Sequence, residues 1–501
     1  MKIQFLFFVG VFGTLRVKII QYFRYAFLIL AVGLFAGGYL LNNFNVMLCG
    51  VMALFLGNVF YCFTEIRSHI LLFVFHITIF VFLLDRPFIS MLRGEVWWYP
   101  SVAFSLNVLF LSLIFLQLGA AAGNRILKKK LQAVAQVKSV NSPYQMNFRI
   151  ALQVVSLAFF ALTMLFYLMV ELEKLQFMQG REYEELYSLF ESQLPSFVHT
   201  LAAMMKYSLC IFLATLPSKR MAFVPLAFFL ISAVPSLLTG VRNPIVLNAL
   251  FILVYYILRD VLENGSRWLG KAEKACLILV APVALVFLSA YNYIRAGEKT
   301  SMGVFDSVVD LFYKQGVSFD VLGIGYESLP NLPDVVPKNY TFGPFTDYFF
   351  HNTLAQRLFG AMDLGSGNSV DRAVYGSSFS HSMSYVARDD YLQGHGWGSS
   401  YLLETYADWG YLGVIIASFL FGLVMLLMML AIRKGIMART ITLVGLTSLY
   451  FVPRAETTGW LLFLVTIQFW LTVVFCYVVA GLFARSYSCE GNRSMKRVRK
   501  V

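Results

Sequence analysis

Gly394-His395-Gly396-Trp397-Gly398-Ser399-Ser400-Tyr401-Leu402-Leu403-Glu404-Thr405-Tyr406-Ala407-Asp408-Trp409-Gly410 closes a long polar stretch and leads into an apolar helix. Glycines 394, 396 and 398 permit backbone angles that a side chain forbids. Ser399 or Ser400 then suits the cap of the helix that follows. On a helix, Tyr401, Glu404, Asp408 and Tyr411 are three and four residues apart, so one face carries them all. Two carboxylates therefore point together where the chain is about to enter lipid. Charge is costly there unless a wet cavity receives it.

Composition sets the class. Of 501 residues 59% are hydrophobic and only 13% charged, against about 25% charged in an ordinary soluble domain. The expected fold is an all-α, polytopic integral membrane protein. Apolar runs long enough to cross roughly 30 Å of hydrocarbon occur about twelve times: 24–42, 45–64, 69–86, 102–121, 148–170, 197–215, 221–239, 244–259, 274–294, 410–432, 438–453 and 459–484. Residues 1–294 then form the first part of a transmembrane bundle, 295–409 one large extracytoplasmic loop, 410–484 the rest of the bundle, and 485–501 a basic cytoplasmic tail. Met1 to Leu15 lack a small-residue cleavage site and are expected to stay as an interfacial or short membrane segment.

The net charge is +13, from 40 Lys and Arg against 27 Asp and Glu. Nucleic acid is not the expected partner, because the basic residues gather between spans. Arg125, Lys128, Lys129, Lys130, Lys138 and Arg149 crowd one connection, and Arg485, Arg493, Lys496, Arg497, Arg499 and Lys500 the tail. An even number of crossings puts both on one side, and the bias of Lys and Arg makes that side cytoplasmic. The opposite side receives the stretch holding Glu171, Glu173, Glu182, Glu184, Glu185 and Glu191, and the long loop. Within the loop, 303–323 reads as a helix lying on the bilayer face, after which Pro330, Pro333, Pro337 and Pro344 break regularity. The six cysteines show no paired spacing, so neither disulfides nor a thiolate metal site is expected.

Polar groups converge on the loop side. Asn243 suits an N-cap and Pro244 a first helical position, which leaves free amides beside Arg242, a combination suited to phosphate. Arg295 ends the ninth run and is placed to join Arg242 over a diphosphate. Either arginine alone equally suits snorkelling to lipid headgroups. His395 is able to move protons near neutral pH. Glu404 or Asp408 can act as general base toward a sugar hydroxyl, although acids in a first turn also simply stabilise the helix dipole. Arg454 and Glu456 lie at the cavity rim or form a turn ion pair. Asp389, Asp390 and His395 lack the fixed spacing of a cation site, so no metal is expected. No P-loop and no serine-nucleophile elbow is present.

At these residues the chain resembles the Wzy-type O-antigen and capsule repeat-unit polymerases. The resemblance lies in about twelve helices, one large loop in the C-terminal third, and the run Ser-Tyr-Leu-Leu-Glu-Thr-Tyr-Ala-Asp-Trp-Gly-Tyr-Leu-Gly at 400–413. The chain is also similar to O-antigen ligases, in which a His precedes a comparable series; here His395 stands before Tyr401 with five residues between. The resemblance implies glycosyl transfer from a polyprenyl-diphosphate-linked oligosaccharide on the outer face of the cytoplasmic membrane. Arg242, Arg295 and Arg454 would meet the diphosphate, His395 or Glu404 the acceptor hydroxyl, and Tyr401 and Asp408 the bound substrate. No cofactor and no nucleotide sugar is implied, and a chain-length regulator is admitted as a partner. The rival readings are an O-antigen ligase and a glycolipid flippase. A flippase would be expected to show internal repeats, which the chain lacks.

Overall fold

The computed structural model describes residues 2–95, 101–134, 143–262, 268–295, 303–365 and 367–498. Over these residues the chain is helical and contains no strand. Its long helices are α1 (Lys2–Leu40), α2 (Phe44–Thr64), α3 (Ile66–Arg93), α4 (Val102–Val134), α5 (Pro143–Phe177), α6 (Ser196–Ala214), α7 (Lys219–Leu238), α8 (Asn243–Leu262), α9 (Lys271–Arg295), α10 (Tyr401–Ala431), α11 (Ile436–Arg454) and α12 (Ile467–Val498). Eleven of them are long and apolar enough to cross a membrane and coincide with eleven of the expected runs. The twelfth run, 274–294, is the continuous helix α9. The side chain of Arg295, those of the first residues and those of most of the basic tail lie outside the described residues.

The centre of the bundle is the contact between α4 and α10. A side chain on Gly119 would collide with the Phe419 carbonyl, and one on Gly422 with the Leu116 carbonyl. Small residues at such points let two backbones touch, which is how helices associate where solvent supplies no hydrophobic drive. Phe75 of α3 packs on this pair, stacked 5.8 Å from Phe421.

Helix α10 is not one rod. Trp409 (φ −139°, ψ 16°) and Gly410 (φ 59°, ψ −151°) leave the helical region. In a straight helix Tyr401 and Phe421 would stand about 30 Å apart; their rings lie 5.0 Å apart. Tyr401 Oη is 2.6 Å from Ser112 Oγ, which also accepts a bond from Ser418 at 2.9 Å. A side chain at Gly413 would run into the Thr405 carbonyl. Residues 401–408 therefore form an arm that starts inside the bundle at Ser400, climbs to the loop end, and reverses at Gly410 into the crossing helix. Ser400 is the N-cap, its hydroxyl accepting from the Leu402 amide.

Three expectations change accordingly. The helix begins at Tyr401, so the boundary drawn at 409/410 marks the reversal and not the entry to the bundle. Tyr411 belongs to the return helix and does not share a face with Tyr401, Glu404 and Asp408 in the way a single helix requires. Of the three spaced glycines, only Gly394 adopts a positive φ (98°).

The last two crossings are also joined by chain that dips inward. Residues 459–464, expected at the start of the last span, form a 3-10 turn whose Trp460 lies 6.3 Å from Phe421 and against Gly445. The span proper starts at Ile467. Irregular backbone at such depth is tolerated where protein surrounds it, and the arm and this linker supply each other's surroundings.

The long loop packs down onto this end. Its first part holds two helices, Val304–Gln315 and Ser318–Ser328, in place of the single surface helix expected over 303–323. The second is mostly buried, with Gly325 against Leu403 of the arm. Helices Gly343–His351, Thr353–Phe359, Val370–Tyr375 and Phe379–Ala387 follow. Helix α8 starts at Asn243 itself, one residue earlier than the expected cap implies.

Candidate active site

Arg454 ends α11 on a 3-10 turn and reaches across to the loop helix Val304–Gln315. It donates to the Gln315 carbonyl at 2.9 Å and lies 3.3 Å from the Gln315 side-chain oxygen, with its guanidinium 5.9 Å from the Phe82 ring. Phe82 belongs to a π-helical turn, Phe80–Leu84, inside α3. Such turns are frequent at functional sites because they re-aim the residues that follow. Here those residues are Asp85 and Arg86.

The arginines of this region differ in how their charge is met. Arg86 pairs with Asp320 at 2.7 Å, and Arg388 grips Asp390 through two bonds of 2.7 Å. Among the described residues Arg454 forms no ion pair; its hydrogen-bond partner is neutral. The Arg242 guanidinium lies close enough to oppose its charge, with Asp85 and Tyr183 also within electrostatic reach. An arginine whose hydrogen-bond partner is neutral, with a second cation nearby, favours an anion beside it. Arg242 and Arg454, two of the residues singled out from the sequence, are thus brought together at the loop end. Arg295 closes α9, which packs on the helix Val304–Gln315.

Glu404 has a different place from the one expected of a base. It is 1% exposed. One carboxylate oxygen accepts from Ser399 Oγ at 2.7 Å, and the other from the Thr457 amide at 2.8 Å and its hydroxyl at 2.9 Å. A base must reach the acceptor's proton, whereas Glu404 cross-links the arm to the 455–466 linker. Glu404→Gln is accordingly expected to lower the melting temperature of the detergent-purified protein. An amide offers one acceptor oxygen where three donors converge, and an unmet buried donor costs about 1–3 kcal/mol. An unchanged melting curve would remove the cross-link.

Asp408 and Tyr401 are engaged in the same way. Asp408 accepts from the amides of Tyr340 (3.1 Å) and Thr341 (2.7 Å), pinning the proline-broken part of the loop to the arm. Tyr401 is wholly buried against Ser112 and presents no face to a sugar. His395 is half-exposed on the rim, with Nε2 3.9 Å from Asp390 and its carbonyl held by Asn368 at 2.8 Å. Its neighbour is therefore Asp390, while the partners of Glu404 are Ser399 and Thr457. Trp397 lies under the Arg388 guanidinium, 5.0 Å away.

Arg454 and Glu456 form no turn ion pair. Glu456 turns instead toward Asp347 and Arg372. Burial and the neighbouring Asp347 charge hold its carboxyl above the usual carboxylate range, with Arg372 opposing. Burial raises Asp347 too, against the Ser377 amide that bonds it at 2.8 Å. Lys338 is pushed down to about 8 by burial, and donates to the Ala373 carbonyl and Ser382. His381 is pushed down to about 4 by burial and by Arg372, which leaves a neutral ring bonded to Tyr391 Oη at 2.9 Å. Asp85, Asp347 and Arg372 were not singled out from the sequence. For Asp85-Arg86 the signal was present, a charged pair closing an apolar run; for Asp347 and Arg372 only the loop's tertiary fold brings them in.

A family model described as O-antigen polysaccharide polymerase Wzy matches residues 23–486, nearly the whole chain. The chain belongs to this family. The match spans both the bundle and the loop that carry the cluster just described. Neither a curated protein nor a solved structure matches it. Membership in the Wzy family gives the chain a general role in O-antigen polysaccharide polymerisation, in a multi-pass membrane setting that the apolar helices bear out.

Proposed function

We propose that this Wzy-family chain joins polyprenyl-diphosphate-linked oligosaccharide units on the outer face of the bacterial cytoplasmic membrane. The growing glycan leaves its lipid diphosphate and is transferred to the non-reducing end of another lipid-linked unit. The loop side then faces the periplasm or exterior, and both termini are cytoplasmic, as the basic connections require. The observation that carries the reading is the Arg242–Arg454 pair. The leaving diphosphate gains negative charge as its bond to the sugar breaks, and cations fixed where that charge develops lower the barrier. Arg295, at the loop end of α9, is proposed as a third cation for the same group. Lipid chains lie among the helices and sugars meet the loop. His395, beside Asp390 on the rim, is proposed to pass protons between the site and solvent. Neither a metal nor a nucleotide sugar enters this reading, and a chain-length regulator docks, where present, as a separate partner.

The test is a gel of surface glycan from a strain deleted for the gene. The expected result is lipid capped with a single repeat unit, since export and ligation survive without polymerisation. Bare lipid with long polymer stranded on its carrier would instead make the chain a ligase. Bare lipid with single units held on the cytoplasmic side would make it a flippase.

A further inference from the structure

We infer that Glu456 takes the proton from the acceptor sugar hydroxyl during transfer, a role that rests on the reading of the chain as a lipid-diphosphate-dependent polymerase. Most of the carboxylates that meet the arm and its linker are already engaged. Glu404 receives three donors, Asp408 two amides, Asp347 one amide, and Asp320 and Asp390 each an arginine. Glu456 makes no hydrogen bond or ion pair among the described residues, and it is only half-buried. Beside Arg454, Glu456 thus has oxygens open to a substrate hydroxyl.

Its position fits the reaction. Ala455, the residue between Arg454 and Glu456, is fully extended (φ −142°, ψ −177°). Two residues of extended chain span about 7 Å. On one side of Ala455 the Arg454 side chain goes to Gln315, Phe82 and the charge of Arg242; on the other, Glu456 faces Asp347, Arg372 and Glu404. The backbone thus carries the cation and the open carboxylate on positions about 7 Å apart, with their side chains in different surroundings. A donor held by its diphosphate against Arg454 presents its anomeric carbon toward Glu456.

The step balances without a further reagent. Glu456 accepts the proton as the acceptor oxygen bonds to the anomeric carbon. The bond from that carbon to the diphosphate oxygen breaks, its electron pair leaving with the diphosphate between the two arginines. The proton then passes to water, and Glu456 is ready again. Burial and the Asp347 charge favour this, since they make Glu456 a stronger base than a solvated carboxylate, nearer the working pH.

The experiment uses the full chain in nanodiscs, supplied with lipid-linked repeat units extracted from the deletion strain. Glu456→Gln is expected to lower turnover by about 10²-fold or more, the usual worth of a positioned base, with donor retention and melting as in wild type. Glu456→Asp restores part of the rate. Wild-type turnover falls as pH drops through the Glu456 titration, and Glu456→Gln loses that acidic limb. Turnover of Glu456→Gln within threefold of wild type, or an acidic limb that persists in it, overturns the assignment. If Glu456→Gln loses its fold, Asp347→Asn gives the second reading. Removing the neighbouring charge moves the acidic limb to lower pH, and an unmoved limb overturns the proposal. A wild-type protein that makes no polymer from these units sinks the polymerase reading itself, an outcome distinct from failure of Glu456.

Discussion

Arg454→Ala is expected to cut polymer synthesis by about 10²–10³-fold while leaving the protein at its normal level in the membrane, the scale seen when a preorganised donor to a developing anion is removed. The guanidinium donates to Gln315, a neutral group, and forms no ion pair among the described residues, so its removal breaks no salt bridge. The loss should fall on turnover more than on folding. Arg454→Lys is expected to recover little, because a point charge cannot reproduce a planar fork over two phosphate oxygens. Arg242→Ala should act similarly. The double variant should be little worse than either single one, since the two cations meet one ligand and their effects are not additive. Arg86→Ala provides the contrast. Its charge is met by Asp320 at 2.7 Å, so its removal leaves a buried carboxylate and should appear as lost stability. The measurements are chain-length distribution on a gel, protein level by blot, and melting of the purified variants. Full-length polymer from Arg454→Ala and Arg242→Ala would remove the diphosphate clamp.

The spans were legible because an apolar run is a local property. All twelve expected runs recur in helices, eleven of them long and apolar enough to cross, whereas Arg125, Lys128, Lys129 and Lys130 prove to lie on α4 and Arg149 on α5 and not in a connection. The reversal in α10 was not legible. Helical spacing continues from Tyr401 to Ala431, and the local signs, an apolar run that begins at 410 and a glycine after Trp409, read as the entry of a helix and not as a reversal within one. What turns the arm back is non-local: Ser112 of α4 for Tyr401, Thr457 for Glu404, and the amides of Tyr340 and Thr341 for Asp408. The same distinction runs through the site. Arg242 and Arg454 could be read because charge at the end of an apolar run stands out. Glu404 and Asp408 were recognised as carboxylates at the start of a helix about to enter lipid, but their roles depend on partners up to 68 residues away. Glu456 was noticed for its neighbour Arg454, and its significance emerges only once Glu404, Asp408 and Asp347 are seen to be occupied.

The arm makes a second strong expectation. Gly410→Ala should lower the melting temperature by several degrees and reduce polymer at least tenfold. The angles at Gly410 (φ 59°, ψ −151°) lie in a region open essentially to glycine, where another residue costs about 1–3 kcal/mol. The chain has no cheap escape. Straightening into continuous helix would carry the arm about 12 Å beyond the loop end of the bundle. That would break the bonds of Tyr401 to Ser112, of Glu404 to Ser399 and Thr457, and of Asp408 to two amides, at about 0.5–1.5 kcal/mol each and more for the charged groups. The strained arm is therefore retained at reduced stability, with Glu404 pulling less firmly on the linker that carries Arg454 and Glu456. A small misplacement of these groups is enough to slow transfer. Gly435→Ala is the control, since Gly435 has φ −64° and open space where a methyl would go; it should behave as wild type. If Gly410→Ala matches Gly435→Ala in both melting and polymer, residues 401–408 do not fold back, and the cross-link from Glu404 to Thr457 cannot be what positions the site.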